Sequence, residues 1–145
     1  MQDLTEEKVH LLAMSPLYIL YLVASEYAPP KQISERHIVR AVEYGLDGQG
    51  PFSEGAFDLL RCHLHEFYAE FVSQRGAMDR EYLRAELLRL KQLLDTLTGP
   101  PEMIDDFKTA LKGFAGFVAG GGAFRKQIEH PAMRAQVAWV EELLA

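Results

Sequence analysis

Cys62, His63, His65 and Glu66 stand within five consecutive residues, the densest group of ligand-type side chains in the chain. On a helix, residues three and four apart share a face, so Cys62, His65 and Glu66 are expected to cluster while His63 points elsewhere. Thiolate, imidazole and carboxylate together suit a divalent transition metal, zinc first among them. The spacing is not that of a zinc motif, and a closed site needs a fourth ligand from another helix. A second reading makes Cys62 a nucleophile, which requires a thiolate-stabilising histidine brought in by folding. The plain structural reading is a buried Cys62 packed as a small apolar side chain, beside a partly exposed histidine and a solvated glutamate.

Other stretches carry weaker chemistry. Gly120-Gly121-Gly122 is followed by Arg125 and Lys126 and could hold a small anion. It lacks the lysine–hydroxyl pair and the preceding strand of a phosphate loop, and a helix terminator is the simpler reading. Tyr18, Tyr21 and Tyr27 read as core with a wet rim, or as the lining of a ligand pocket. Glu81, Arg84, Glu86 and Arg89 read as a solvated helix face. His10, His37 and His130 are isolated in sequence, and no role follows from them.

The elements that must position these residues are helical nearly throughout. Apolar residues recur every three or four positions, and no segment sustains a two-residue alternation. Breaks fall at proline and glycine clusters. A short helix is expected from Thr5 to about Met14. Ser15-Pro16 then reads as an N-cap followed by proline at the first helical position, opening a second helix to about Tyr27 that ends at Pro29-Pro30. Ser34 caps a third, over about 35–45, with Ile38, Val39, Val42 and Leu46 on its apolar side. A turn-rich connection from Gly45 to Pro51 leads to Ser53, which caps a fourth over about 54–74, carrying Phe57, Leu60, Leu64, Phe67 and Phe71 and ending at Arg75-Gly76. Asp79 starts a fifth over 80–97 with the stripe Leu83, Leu87, Leu90 and Leu94. After Thr98-Gly99-Pro100, a sixth spans 101–119 with Phe107, Leu111, Phe114 and Val118. Pro131 opens a seventh that buries Val137, Trp139, Val140 and Leu144. The second and sixth are the most apolar and should pack centrally, with Gly116 and its neighbouring alanines permitting an interaxial distance near 8 Å.

The chain's 145 residues fit one domain, and the expectation is a single compact all-α domain over 1–145 with about seven helices. Fifteen Lys and Arg against twenty-one Asp and Glu give a formal charge of −6, which disfavours nucleic acid and anionic membrane surfaces as partners. Cys62 is the only cysteine, so no intrachain disulfide forms. Asp3, Glu6 and Glu7 precede the first apolar run, unlike the basic start of a secretory signal. With a break at Ser15-Pro16, the stretch Leu11 to Ala24 falls short of the roughly 20 residues of a transmembrane helix. A cytoplasmic setting follows.

An internal echo suggests two related halves. Val23-Ala24 leads through a loop to Lys31-Gln32-Ile33, and Val118-Ala119 leads through another to Lys126-Gln127-Ile128. This is the pattern of a duplicated helix–loop–helix unit.

The phrase Leu20-Tyr21-Leu22-Val23-Ala24, and its counterpart Phe114-Ala115-Gly116-Phe117-Val118-Ala119 running into Gly120-Gly121, resemble the TerB-like family associated with tellurite resistance. The resemblance implies an all-helical fold of two similar halves and a bacterial stress-response setting. In that family each half carries Asp-Gly after the Val-Ala step and a glutamate at the start of the next helix, residues linked to metal-ion binding. Ser25-Glu26 and Gly120-Gly121 stand where the Asp-Gly pairs would be, and Glu35 and Glu129 correspond to the glutamates.

Two functions are consistent with these residues. One is a non-enzymatic interaction or scaffold protein, self-associating or binding a protein partner through apolar residues off the main stripes, Tyr44, Phe52, Phe124 and Met133 among them. No cofactor is needed for that. The other is a metal- or small-ligand-binding protein using Cys62, His65 and Glu66, with a divalent metal as the cofactor.

Overall fold

The first two expected helices are one. In the computed structural model α1 runs Glu6–Ala24 without a break, with Pro16 in its interior. Proline has no amide hydrogen to give the carbonyl four residues back, and its ring crowds that carbonyl. For Pro16 the carbonyl is that of Leu12. Ser15 supplies the missing donor: its Oγ donates to the Leu12 carbonyl oxygen at 2.7 Å, inside the core. Ser15 is therefore a mid-helix residue and not the expected N-cap. A buried carbonyl left unpaired costs about 1–3 kcal/mol, so this hydroxyl lets the helix continue where no water could repair it.

The structure describes residues 6–24, 33–46, 61–74, 79–97, 101–120 and 130–145. These form α1 and five more helices: α2 Glu35–Leu46, α3 Leu64–Gln74, α4 Arg80–Thr96, α5 Pro101–Ala119 and α6 Pro131–Leu143. No strand occurs among the described residues. The fold is all-α. Pro29-Pro30, Tyr27, the 47–60 segment with Phe52, Ser53, Phe57 and Leu60, Arg75-Gly76, Thr98-Gly99-Pro100 and Gly121 to Glu129 lie outside the described residues. Both loops of the internal echo fall in those segments. Its two Val-Ala steps do not, and Val23, Ala24, Val118 and Ala119 are all in the core.

Every residue of α1 from Leu11 to Ala24 is buried. A helix apolar on all sides must be surrounded, and α1 touches α2, α4, α5 and α6. The expected pairing of the two most apolar segments holds, since α1 lies against α5. Because Ser15-Pro16 does not interrupt it, α1 is long and apolar enough to cross a bilayer by length and composition, with mean hydropathy 1.2, yet 78% of that stretch is buried inside the protein.

The other helices use the expected stripes. Leu83, Leu87, Leu90 and Leu94 of α4 are buried, as are Phe107, Leu111, Phe114 and Val118 of α5, and Val137, Val140 and Leu144 at α6. Trp139 is only partly buried, under the Arg84 guanidinium at 4.9 Å. Caps set three starts. The Asp79 carboxylate accepts from the Tyr82 amide at 2.8 Å. The Ser34 hydroxyl accepts from the His37 amide at 3.4 Å. His130 Nδ1 accepts from the Ala132 amide at 3.2 Å, with Pro131 at the first helical position. His130 thus gains a structural role that spacing alone did not reveal.

Gly116 does not do what its neighbourhood implied. A Cβ built there meets nothing within 4 Å, so no partner helix approaches it closely. Ala115 and Ala119, both in the core, make the contacts instead. Gly116→Ala is expected to raise stability by about 0.5–1 kcal/mol, because alanine loses less backbone entropy in a helix interior and finds no clash. Urea unfolding checks this, and a loss of stability would show that the α5 surface is closer packed than described.

Candidate functional site

The five residues around Cys62 do not assemble as their spacing implies. α3 begins at Leu64, and a turn at His63 separates Cys62 from it. Cys62 is exposed and is not the buried packing residue of the plain reading. The His65 side chain is 92% exposed, and Glu66 is 77% exposed. Glu66 Oε2 lies 3.5 Å from Nδ1 of His63, the histidine expected to point away. His65 faces Glu35 at the start of α2, with Nδ1 3.7 Å from Oε1. Among the described residues, no three His, Cys, Asp or Glu side chains converge to hold an ion. Arg125, Lys126 and Glu129 lie outside the described residues.

A denser polar cluster forms where α1, α3 and α4 meet. Glu7 of α1 reaches Arg89 of α4, and Tyr18 of α1 sits in the field of Tyr82 and Glu86. Residue numbers rise along one helix as they fall along the other, so the two run antiparallel. Arg89 is held firmly on one side: its Nη1 donates to both oxygens of Glu86 at 3.0 Å. Glu86 is only 14% exposed, a depth at which a carboxylate needs its partner. On the other side, Arg89 Nη2 reaches Glu7 Oε1 at 3.4 Å. His10 Nε2 lies 3.1 Å from Oε2 of Glu70 on α3, and the Phe67 ring stands edge-on to His10 at 5.4 Å. Thus Glu86 and Arg89 belong to an interhelix network, and only part of their expected solvated face is solvated. Arg84 also turns inward, donating from Nη2 to Gln136 of α6 at 2.9 Å.

Burial, and then this network, keeps its tyrosines neutral. Tyr18 is held well above the ordinary tyrosine range, by burial first and then by the charges of Glu86, Tyr82 and Glu70, with Arg89 opposing. Tyr82 is raised in the same way, by burial, Glu86 and Glu70. Arg89 is raised chiefly by its hydrogen bond to Glu86. Both phenols therefore remain neutral, and the guanidinium remains charged. A histidine beside a carboxylate, as in His10–Glu70, can also orient an imidazole for proton transfer.

The second exposed feature lies on α2. Arg36, Val39, Arg40 and Glu43 line an open hollow of about 350 Å³. Their spacing places them on one side of the helix. Ile38, Ala41 and Val42 bury the opposite side, while Val39, expected among them, is 39% exposed. Consecutive residues differ by about 100° around a helix, and Val39 lies on the side of Arg36, Arg40 and Glu43 while Ile38 lies on the core side. Arg36 and Arg40 also act on the neighbouring His37, which is lowered from the usual histidine value by burial first and then by these two charges. Of the expected partner patch, Met133 is fully buried. Phe52 and Phe124 and the Tyr44 side chain lie outside the described residues.

Comparison with protein-family models, curated proteins and solved structures gives no match.

Reasoning from spacing missed the α2 stripe and the His10–Glu70 pair. Two arginines four apart around a valine were the available signal for the stripe. For a pair sixty residues apart in sequence there was none.

Tyr18 is expected to stay un-ionised past about pH 10, where exposed tyrosine titrates. Its folded form favours the neutral phenol. The associated stability is therefore intact below about pH 10 and is lost as pH rises beyond it. Ultraviolet titration of the wild type against Tyr18→Phe checks this. One phenol should ionise only as the chain unfolds, and a reversible Tyr18 step near pH 10 in folded protein would contradict it.

Proposed function

We propose that this chain is a non-enzymatic interaction protein that pairs with a second copy of itself through α2. The observation that carries the proposal is the self-complementarity of the exposed stripe. Arg36 and Glu43 end it, and Val39 and Arg40 form its middle. Laid antiparallel across a two-fold axis, Arg36 meets Glu43 of the other copy, and Glu43 meets its Arg36. Val39 then packs against the aliphatic stem of the opposing Arg40, which covers apolar surface while keeping its charge wet. A closed two-fold pairing uses one surface on both subunits and leaves no open end.

The contact is small. One helix face buries far less than the roughly 800 Å² per partner of a standard interface, and exposed ion pairs contribute about 0.2–1 kcal/mol each. Association is weak and concentration-dependent, with a dissociation constant of roughly 0.1–1 mM. A scaffold that gathers transiently fits such a contact. The TerB-like resemblance sets this reading in a bacterial stress response, with two similar halves as the full-chain architecture.

Sedimentation velocity over a concentration series tests the pairing. Mean mass should rise with concentration and fall with added salt, since surface charges are screened beyond about 10 Å at 0.1 M. Arg36→Glu and Glu43→Arg should each abolish association, and the double swap should restore it. A monomer at every concentration, or a double swap that stays monomeric, refutes the pairing.

A further inference from the structure

A groove runs between the first turns of α1 and the second half of α4. It has a volume of about 320 Å³, and Glu7, Lys8, Leu11, Arg89, Leu93 and Thr96 are among its lining residues. That volume falls at the small end of ligand-binding cavities, about 300–1,000 Å³. The lining is divided by chemistry. Leu11 and Leu93 are its apolar lining, each buried to 7% exposure. Thr96 is also part of the lining, and its hydroxyl is taken up by the Leu93 carbonyl at 2.8 Å. Lys8 and Arg89 bring positive charge, and Glu7 negative.

The two carboxylates on Arg89 are not equivalent. Glu86 grips Nη1 with both oxygens at 3.0 Å and is 14% exposed. Glu7 touches Nη2 at 3.4 Å from a side chain that is 81% exposed. The first contact fixes the plane of the guanidinium. The second is a long, solvated contact on the edge that faces the groove. A guanidinium already oriented by one carboxylate loses little freedom when a second one binds. Glu7 thus occupies, loosely, the position that an incoming carboxylate would take.

We propose that this groove is a binding site for a small carboxylate with a short apolar body. The ligand carboxylate takes the place of Glu7 on Arg89 Nη2, with Lys8 adding a second positive charge. The apolar body lies over Leu11 and Leu93. Glu86 keeps Arg89 paired throughout the exchange, and the displaced Glu7 is already 81% exposed, so its release strands no charge away from water. The site shares no residue with the α2 stripe and is independent of self-association.

The test uses the full chain labelled with ¹⁵N and titrated with hexanoate, followed by amide chemical shifts. Hexylammonium and hexanol serve as matched controls with reversed and absent charge. Hexanoate should give saturable shifts centred on residues 7–11 and 89–96, and the two controls should give weaker ones. Arg89→Gln should weaken hexanoate binding by about tenfold or more, as expected for loss of a charge-assisted contact. Glu7→Gln lies at an exposed position and removes only the competitor, so it should tighten hexanoate binding several-fold. That gain separates a binding role from general damage, which could only weaken it. Hexylammonium binding better than hexanoate, no saturable shift in the groove, or weaker hexanoate binding in Glu7→Gln would each overturn the proposal.

Discussion

The hydroxyl of Ser15 on the Leu12 carbonyl is the contact on which the arrangement of α1 rests. Pro16 cannot supply the amide hydrogen that the helix requires at that carbonyl. On a surface helix, water would make up the loss. In α1 it cannot, because Leu11 to Ala24 are buried without interruption and a buried backbone group must find its partner within the protein. With the hydroxyl in place, the helix continues through the proline. The consequence is geometric. Glu7, Lys8 and His10 stay on the same rod as Tyr18, at about 1.5 Å per residue. The whole rod can then lie along α4, with Glu7 at Arg89 and Tyr18 near Tyr82 and Glu86. A break at residues 15–16 would uncouple these two ends.

The polar residues of this seam divide into those that hold and those that remain available. Glu86 and Arg89 hold: one is mostly buried, and the other is gripped by two oxygens. Tyr18 and Tyr82 remain neutral because burial and the nearby carboxylates disfavour a phenolate. The outer layer is looser. Glu7 is largely exposed, and His10 and Glu70 are each more than one-third exposed. The α2 stripe follows the same division, with Ile38 and Val42 anchoring the helix while Arg36, Val39 and Glu43 face outward. In both places a buried apolar anchor carries exposed charged side chains.

Much of the helical plan was legible because helical periodicity is local. The stripe Leu83, Leu87, Leu90 and Leu94, the cap at Asp79 and the proline at 131 need only neighbouring residues to specify them, and the structure places each as read. Ser15-Pro16 was misread for a physical reason. A serine followed by proline looks the same whether it opens a helix or repairs one. The outcome depends on whether the Leu12 carbonyl is buried, which is a tertiary fact. The run Ile38-Val39 misled in another way, since hydrophobicity alone does not say which of two adjacent apolar residues faces inward. Gly116 was assigned to a close helix contact from its size, but the partner helix passes elsewhere. The residues around Cys62 were placed on one continuous helix, whereas the structure puts a turn at His63 between helical Arg61-Cys62 and the start of α3. Contacts such as His10–Glu70 depend on where α3 docks, which no local pattern encodes.

The most direct test of this account is a double-mutant cycle on Ser15→Ala and Pro16→Ala, measured by urea unfolding. Ser15→Ala alone is expected to cost about 1–3 kcal/mol, because it strands the Leu12 carbonyl in the core. In the Pro16→Ala background residue 16 regains an amide hydrogen, and the same substitution should cost at least about 1 kcal/mol less, a coupling typical of groups that share one partner. If Ser15→Ala proves neutral, or costs the same in both backgrounds, the hydroxyl is not what carries α1 through its proline.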